Sequence, residues 1–275
     1  MNFAKDLSDD LHIILKLKLL QGGKNVRVIF EGKPLRTFQM NVVFSVGWRN
    51  EPPKYKGIVR DTLDAFIERV SETVPQWYEL GKIIEAEFSF VRIWGTSKEI
   101  DNLKEGLEKG FLNLSPSFVE IGGGVLFSVI VGGVKKTSLE QFRKIKSPSP
   151  LKPQKLFSKP RNFIKLTNIT RLESLFLREF LSKREKEVFL EISKGVDRLF
   201  FGRVTGDMPS YKEMEEFLGF FKASILKRLE STSGTADFLT YMNVFSKDKV
   251  SIDDILTRLE KLELLKFLEV LKKLY

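Results

Sequence analysis

The sequence predicts an α+β protein. It divides into an N-terminal ferredoxin-like α/β sandwich over residues 1–145, a basic Pro-rich linker over 146–160 and a C-terminal all-α helical bundle over 161–275. Three observations predict this. Period-two and period-3.6 apolar patterns alternate in the first half. In the second half the period-two patterns vanish and helix-capping boxes recur. Between them runs a segment rich in Lys, Arg and Pro.

Leu15, Leu17 and Leu19 alternate with Lys16 and Lys18, the pattern of a half-buried strand, and Gln21–Asn25 is turn chemistry before a return over Val26–Phe30. After the Gly32-Lys33-Pro34 turn, Phe38, Met40, Val42, Phe44 and Val46 form one apolar face over five alternations, the clearest strand signal in the chain. Pro52 and Pro53 make Gly47–Gly57 an irregular loop. A helix follows, burying Val59, Leu63, Phe66 and Val70; Trp77 and Leu80 suggest one further helical turn. Ile84, Ala86, Phe88 and Phe90 alternate in a strand running to about Trp94. Thr96 with Glu99 forms a capping box for a helix burying Ile100, Leu103, Leu107 and Phe111. Two short strands are expected after Pro116, at Phe118–Ile121 and Val125–Val131.

In the second half, Thr170 with Glu173, Ser182 with Glu185, Ser210 with Glu213 and, more weakly, Ser251 with Asp254 pair an N-cap hydroxyl with an N3 carboxylate. Five helices are expected behind them, with stripes at Leu172–Phe180, Val188–Leu199, Met214–Ile225, Phe238–Phe245 and Ile252–Leu268. The last is apolar on more than one stripe, which fits the centre of a bundle or a docking surface.

Composition removes whole classes of chemistry. The chain has 275 residues, 42% hydrophobic and 30% charged, so it can build cores. It has no cysteine, which excludes disulfides, thiolate zinc sites and cysteine nucleophiles, and its one histidine is His12. No apolar run reaches the length of a spanning helix, and the mixed charge of MNFAKDLSDD does not open a signal peptide. The expectation is a cytoplasmic protein with no membrane association; the thiol-free, Lys/Glu-rich composition fits a hot environment.

Residues 135–165 carry ten Lys or Arg against one acid, Glu140, and so supply +9 of the formal net charge of +10. The cations are Lys135, Lys136, Arg143, Lys144, Lys146, Lys152, Lys155, Lys159, Arg161 and Lys165. Phe142, Phe157 and Phe163 are interspersed, so the segment offers both charge and stacking faces to a polyanion. A solvated linker is the alternative reading. Pro148, Pro150, Pro153 and Pro160 exclude a continuous helix.

The most specific local motif is Lys56-Gly57-x-x-Arg60 at the mouth of the first helix, with Tyr55 before it. A glycine there lets a phosphate approach the free helix-end amides, with Lys56 and Arg60 flanking it and Tyr55 placed to stack on a base. The bland alternative is an ordinary helix start with Arg60 paired to Asp64. Following a hairpin, the motif resembles the RNA-facing loop of the repeat-associated mysterious proteins (the RAMP superfamily) of CRISPR effector complexes, over roughly residues 11–134. That resemblance implies a ferredoxin-like core, RNA as the partner and a glycine-rich loop, for which Gly122, Gly123, Gly124, Gly132 and Gly133 stand as candidates. In place of the small run usual before the motif stands Glu51-Pro52-Pro53-Lys54-Tyr55.

No nucleophile–base arrangement stands out. His12 as a base in metal-free RNA cleavage and Asp61 with Asp64 as a metal pair are the remaining candidates, against a structural histidine and a solvated charged face. The Gly122–Gly124 run precedes a strand, which is wrong for a P-loop or dinucleotide site. The sequence therefore leads to the expectation of a non-catalytic subunit without metal or cofactor. It would grip nucleic acid, RNA ahead of DNA, in a prokaryotic ribonucleoprotein or antiviral defence complex with partner protein subunits. The alternative is an adaptor holding a partner such as a nuclease through the C-terminal helices.

Overall fold

The structure, a computed structural model, describes residues 24–148, 156, 163–185, 187–202, 204 and 206–275. The strand expected at Leu15–Leu19, the histidine His12, and the linker residues Lys152, Lys155, Phe157, Lys159 and Arg161 lie outside the described residues. The chain is mixed α/β and divides into two compact units, Met1–Ser158 and Lys159–Tyr275. Among the described residues no helix is long and apolar enough to cross a membrane.

The first unit runs β1 (Lys24–Asn25), β2 (Val28–Gly32), β3 (Thr37–Phe44), α1 (Ile58–Ser71), β4 (Glu79–Ile84), β5 (Ser89–Thr96), α2 (Ile100–Leu112), α3 (Pro116–Glu120), β6 (Val125–Gly132), α4 (Lys136–Arg143) and β7 (Lys146–Ser147). Five strands form one mixed sheet in the order β2-β6-β3-β5-β4; β2 runs parallel to β6 and every other pair is antiparallel. A small ladder joins β1 to β7, and the Pro148 carbonyl accepts from Val125 N at 2.9 Å, so residues 146–148 are tied into this unit.

The alternation read for β3 is the organising feature. Phe38, Met40, Val42, Phe44 and Val46 are all essentially inaccessible and pack with Val59, Leu63, Phe66 and Val70 of α1 and Ile100, Leu103, Leu107 and Phe111 of α2. The Phe44 ring stands edge-on to Phe66 at 5.5 Å and to Phe118 at 5.9 Å. Close approach of α1 to α2 depends on Gly110, where a Cβ would lie 2.6 Å from the Phe66 ring.

Four local expectations in this unit fail. The Thr96/Glu99 box does not cap α2: Thr96 precedes a 3-10 turn without a side-chain cap and donates its hydroxyl to Glu99 Oε2 at 3.1 Å. The strand read from Ile84 to about Trp94 is interrupted at residues 85–88, which turn between β4 and β5. The helical turn at Trp77–Leu80 is instead the start of β4, which forms a hairpin with β5. The strand at Phe118–Ile121 is helical, because Pro116 begins the helix: Ser115 is the N-cap and its hydroxyl accepts from Phe118 N at 3.0 Å.

The second unit comprises β8 (Phe163–Lys165), α5 (Arg171–Arg184), β9 (Val188–Glu191), β10 (Arg198–Phe201), α6 (Tyr211–Glu230), α7 (Thr232–Asn243), α8 (Ile252–Glu260) and α9 (Leu265–Leu271). It is not all-α. β8, β10 and β9 form a three-stranded antiparallel sheet, with β10 in the middle. The helix expected over Val188–Leu199 is the β9–β10 hairpin, reversed through Gly195 at φ +99°. The single terminal helix is two, α8 and α9.

The helices close around aromatic rings: Phe176 lies 6.0 Å from Phe180, 5.5 Å from Phe217, 5.3 Å from Phe221 and 4.8 Å from Phe267. The capping boxes at Thr170/Glu173, Ser210/Glu213 and Ser251/Asp254 form as read. The one at Ser182/Glu185 does not: Ser182 sits in the last turn of α5 and donates to the Arg178 carbonyl. Burial claims most of the terminal stripe, including Leu262, Leu264, Phe267, Val270 and Leu271, and leaves Leu265 exposed.

One buried ion pair locks three elements together. Arg171 Nε donates to Asp197 Oδ2 at 2.8 Å, and Arg171 Nη1 donates to the carbonyls of Tyr241 and Val244 at 2.7 and 2.8 Å, covering the end of α7. Asp197 is 7% exposed, so Arg171→Met strands a buried carboxylate. It should cost about 3–5 kcal/mol, read as a lowered denaturant midpoint. A milder acid effect should come from the α6 cap. Hydrogen bonds from the Ser210 backbone and side chain hold the Glu213 carboxyl below its ordinary range. A carboxyl depressed in the folded state stabilises fully above the unfolded value, about 4.3, and the contribution is lost as pH falls through the folded one. Glu213→Gln should therefore lower the melting temperature at pH 7 and reduce its fall between pH 5 and 3.

Candidate nucleic-acid interface

The loop from Gly47 to Gly57 carries the sequence motif to the start of α1. It is pinned to the β4–β5 turn: Trp48 N donates to Glu85 O at 3.1 Å and Arg49 N to Ala86 O at 3.0 Å. Gly47 permits this approach, since a Cβ there would lie 2.1 Å from Glu85 O. The chain turns into α1 through Gly57 at φ +89°.

The helix-end amides attract an anion, as the sequence suggested, but the anion is internal. The Glu51 carboxylate accepts from Gly57 N at 2.8 Å and from Val59 N at 2.9 Å. The open phosphate mouth at Gly57 is thus corrected to a carboxylate-capped turn, filled from the Glu51 position where the run before the motif is atypical. Lys56 and Arg60 point to solvent, Arg60 lying off the buried stripe of α1. Arg60 Nε lies 3.1 Å from Asp61 Oδ1, and Asp64 pairs with Lys82 of β4, so the Arg60–Asp64 pair does not form. Tyr55 is half-buried. Its hydroxyl donates to Glu120 Oε2 at 3.1 Å and the Lys54 ammonium sits 4.4 Å over its ring, so its hydroxyl and one ring face already have partners. The hydrogen bond with Tyr55 also holds the fully exposed Lys54 ammonium above its ordinary range.

The glycine-rich candidates are packing positions. Gly122, Gly123, Gly124 and Gly132 are buried; Ser45 donates its hydroxyl to Gly122 O at 2.8 Å and its amide to Gly124 O at 2.9 Å. At Gly133 a Cβ would lie 1.8 Å from Leu35 O.

The basic segment gives a different picture. Lys135, Lys136, Arg143, Lys144 and Lys146 are all exposed, and among the described residues none has a carboxylate within ion-pair distance. They lie on and beside α4, whose other face is fixed by buried Ser138, Leu139 and Phe142, with Ile145 following. Ser138 Oγ donates to Asp101 Oδ1 of α2 at 2.8 Å, which sets the rotation of α4. Lys135 is the N-cap of α4, without a side-chain cap, and Lys136 begins it, with no acid in the first turn. Lys135 and Lys136 at this positive end oppose the helix dipole and are not explained by helix stability, whereas Arg143 and Lys144 at the other end complement it. Phe142 is 2% exposed and unavailable for stacking; Phe163, at 36%, is available.

No family model matches the chain, and no curated protein matches it. Solved structures do. A protease from Helicobacter pylori is similar with a TM-score of 0.59 at 11% identity, over 91% of this chain and 94% of that one. Complex III2 from Candida albicans with Inz-5 bound is similar at 0.55 and 10% identity, over 92% of this chain and 93% of that one. The periplasmic protease PqqL from Escherichia coli gives 0.58 at 10% identity, over 90% of this chain and 42% of that one. At these identities the likeness is one of fold.

That fold corrects the expectation that the chain has no enzymatic role: two of these structures are proteases, so the architecture is one that enzymes use. Zinc motifs that place two histidines on one helix cannot be assembled from this chain, which has a single histidine. Asp61 and Asp64 face Arg60 and Lys82, and among the described residues no three His, Cys, Asp or Glu gather as a metal site.

Glu51→Ala should lower stability by about 0.5–2 kcal/mol, as loss of an N-cap does, measured by chemical denaturation. Arg60→Ala should stay within about 0.5 kcal/mol of the parent in the same measurement.

Proposed function

We propose that the chain binds nucleic acid through the phosphate backbone, using the exposed face of α4 and its flanks. The observation that carries this is the set of five solvent-facing cations, without carboxylate partners among the described residues, on and beside a helix anchored by Leu139 and Phe142. A fixed helix holding unneutralised charge presents a low-entropy surface to phosphates. Lys56 and Arg60 add exposed charge at the start of α1. RNA ahead of DNA, a ribonucleoprotein setting with partner subunits, a cytosolic location and kinship with the RAMP subunits belong to the same proposal, supported by the sequence pattern. The order β3–α1–β4–β5–α2–β6, with β6-β3-β5-β4 as neighbours, supports the ferredoxin-like reading of the core.

Five phosphate contacts give a log–log salt slope of about −3.5 to −4.5. Replacing Lys136, Arg143, Lys144 and Lys146 together with Gln should flatten that slope by about 3 while the melting temperature holds, because all four are exposed. A slope that changes by less than 1 overturns the assignment of α4.

A further inference from the structure

The three-stranded sheet of the second unit carries a row of phenylalanines. Register places Phe163 of β8 and Phe189 of β9 directly opposite Phe200 of β10, so all three project from one face. Phe189 is 62% exposed and Phe163 36%, while the Phe163 and Phe200 rings lie 5.7 Å apart at 36°. The next row on that face is Lys165, Arg198 and Glu191; Arg198 pairs with Glu191 at 2.7 Å and its guanidinium lies 5.9 Å from the Phe163 ring. The aliphatic residues Ile164, Leu199 and Leu190 form the row on the opposite face, where Leu199 is fully buried.

We infer that this face is a stacking platform for single-stranded nucleic acid. Exposing a large aromatic costs solvation without any return in the fold, and here two are exposed in cross-strand register. Adjacent strands are about 4.8 Å apart, so the three rings form a row able to take unpaired bases in succession. Bases bound in a duplex cannot reach them. The charge fits this occupant. Phe163 and Lys165 end the segment that supplies +9 of the net +10, and the exposed Lys165 stands on the same face as the rings, within reach of phosphates between stacked bases, beside an Arg198 already paired to Glu191.

This inference rests on the nucleic-acid reading above and adds the strandedness and the second contact surface. The test measures affinity of the full chain for a 12-nucleotide oligouridylate and for a 12-base-pair RNA duplex, with parent, Phe189→Ala, Phe189→Trp and the four-fold Gln variant of α4. Phe189 is mostly solvated, so its replacement leaves the fold intact. Phe189→Ala should weaken oligouridylate binding by about five- to one-hundred-fold and leave the duplex unchanged, and Phe189→Trp should restore single-strand affinity. The α4 variant should weaken both ligands. Single-strand affinity of Phe189→Ala within two-fold of the parent overturns the platform while leaving the α4 reading standing. A parent that binds neither RNA overturns both. A concentration-dependent dimer that Phe189→Ala abolishes, with unchanged oligouridylate binding, also overturns it and assigns the face to a second copy of this chain.

Discussion

The first unit depends on one strand that has no free edge. β3 pairs along its length with β5 on one side and β6 on the other. One of its faces holds the Phe38–Val46 alternation under α1 and α2, and the other carries Gln39, Asn41 and Val43, which are also buried. Slipping β3 by one residue would exchange these two faces and drive Gln39 and Asn41 under the helices, so its register is fixed. Both segments of the proposed interface in this unit are placed from its ends. The chain leaving β3 makes the Glu51 loop and enters α1; β6, held against it, delivers α4.

Charge follows two opposite strategies in the molecule. At α1 and at the start of α7, partial charges are satisfied internally, by the Glu51 carboxylate on two amides and by the Ser231 hydroxyl on Gly234 N. Arg171 similarly answers the carbonyls that end α7. At the start of α4 the opposite holds: Lys135 and Lys136 sit at the dipole's positive end and no acidic residue follows in the first turn, while Arg143 and Lys144 complement its other end. Mutual satisfaction is the default in a folded chain, so a helix that departs from it stands apart from its neighbours.

Long, strictly periodic elements were legible in the sequence. The alternation of β3, the stripes of α1 and α2, and three of the capping boxes were all readable, because a single face decides burial there. Short elements misled. Val188, Ile192, Val196 and Leu199 match a helical period by coincidence, while the strand character lay in the aromatic and β-branched content on both sides of Lys194-Gly195. Pro116 read as a break when it was a first helical residue. At the candidate site, the exposure of Arg60 was predictable from the α1 stripe. The occupation of the Gly57 and Val59 amides was not, because a carboxylate six residues upstream reaches them only through the fold of the loop. The row of Phe163, Phe200 and Phe189 is invisible without strand register, which joins Phe163 to Phe200 across 37 positions.

Edge strand β4 carries a further consequence. Among the described residues it pairs only with β5, leaving its other side as a line of backbone groups on which another chain's strand can template. Lys82 sits in the middle of that line and is held by Asp64 of α1. Lys82 with Asp64 thus puts charge in the middle of a six-residue edge strand that also carries Leu80, Ile83 and Ile84, and lysine is the type of residue that blunts pairing at a sheet edge.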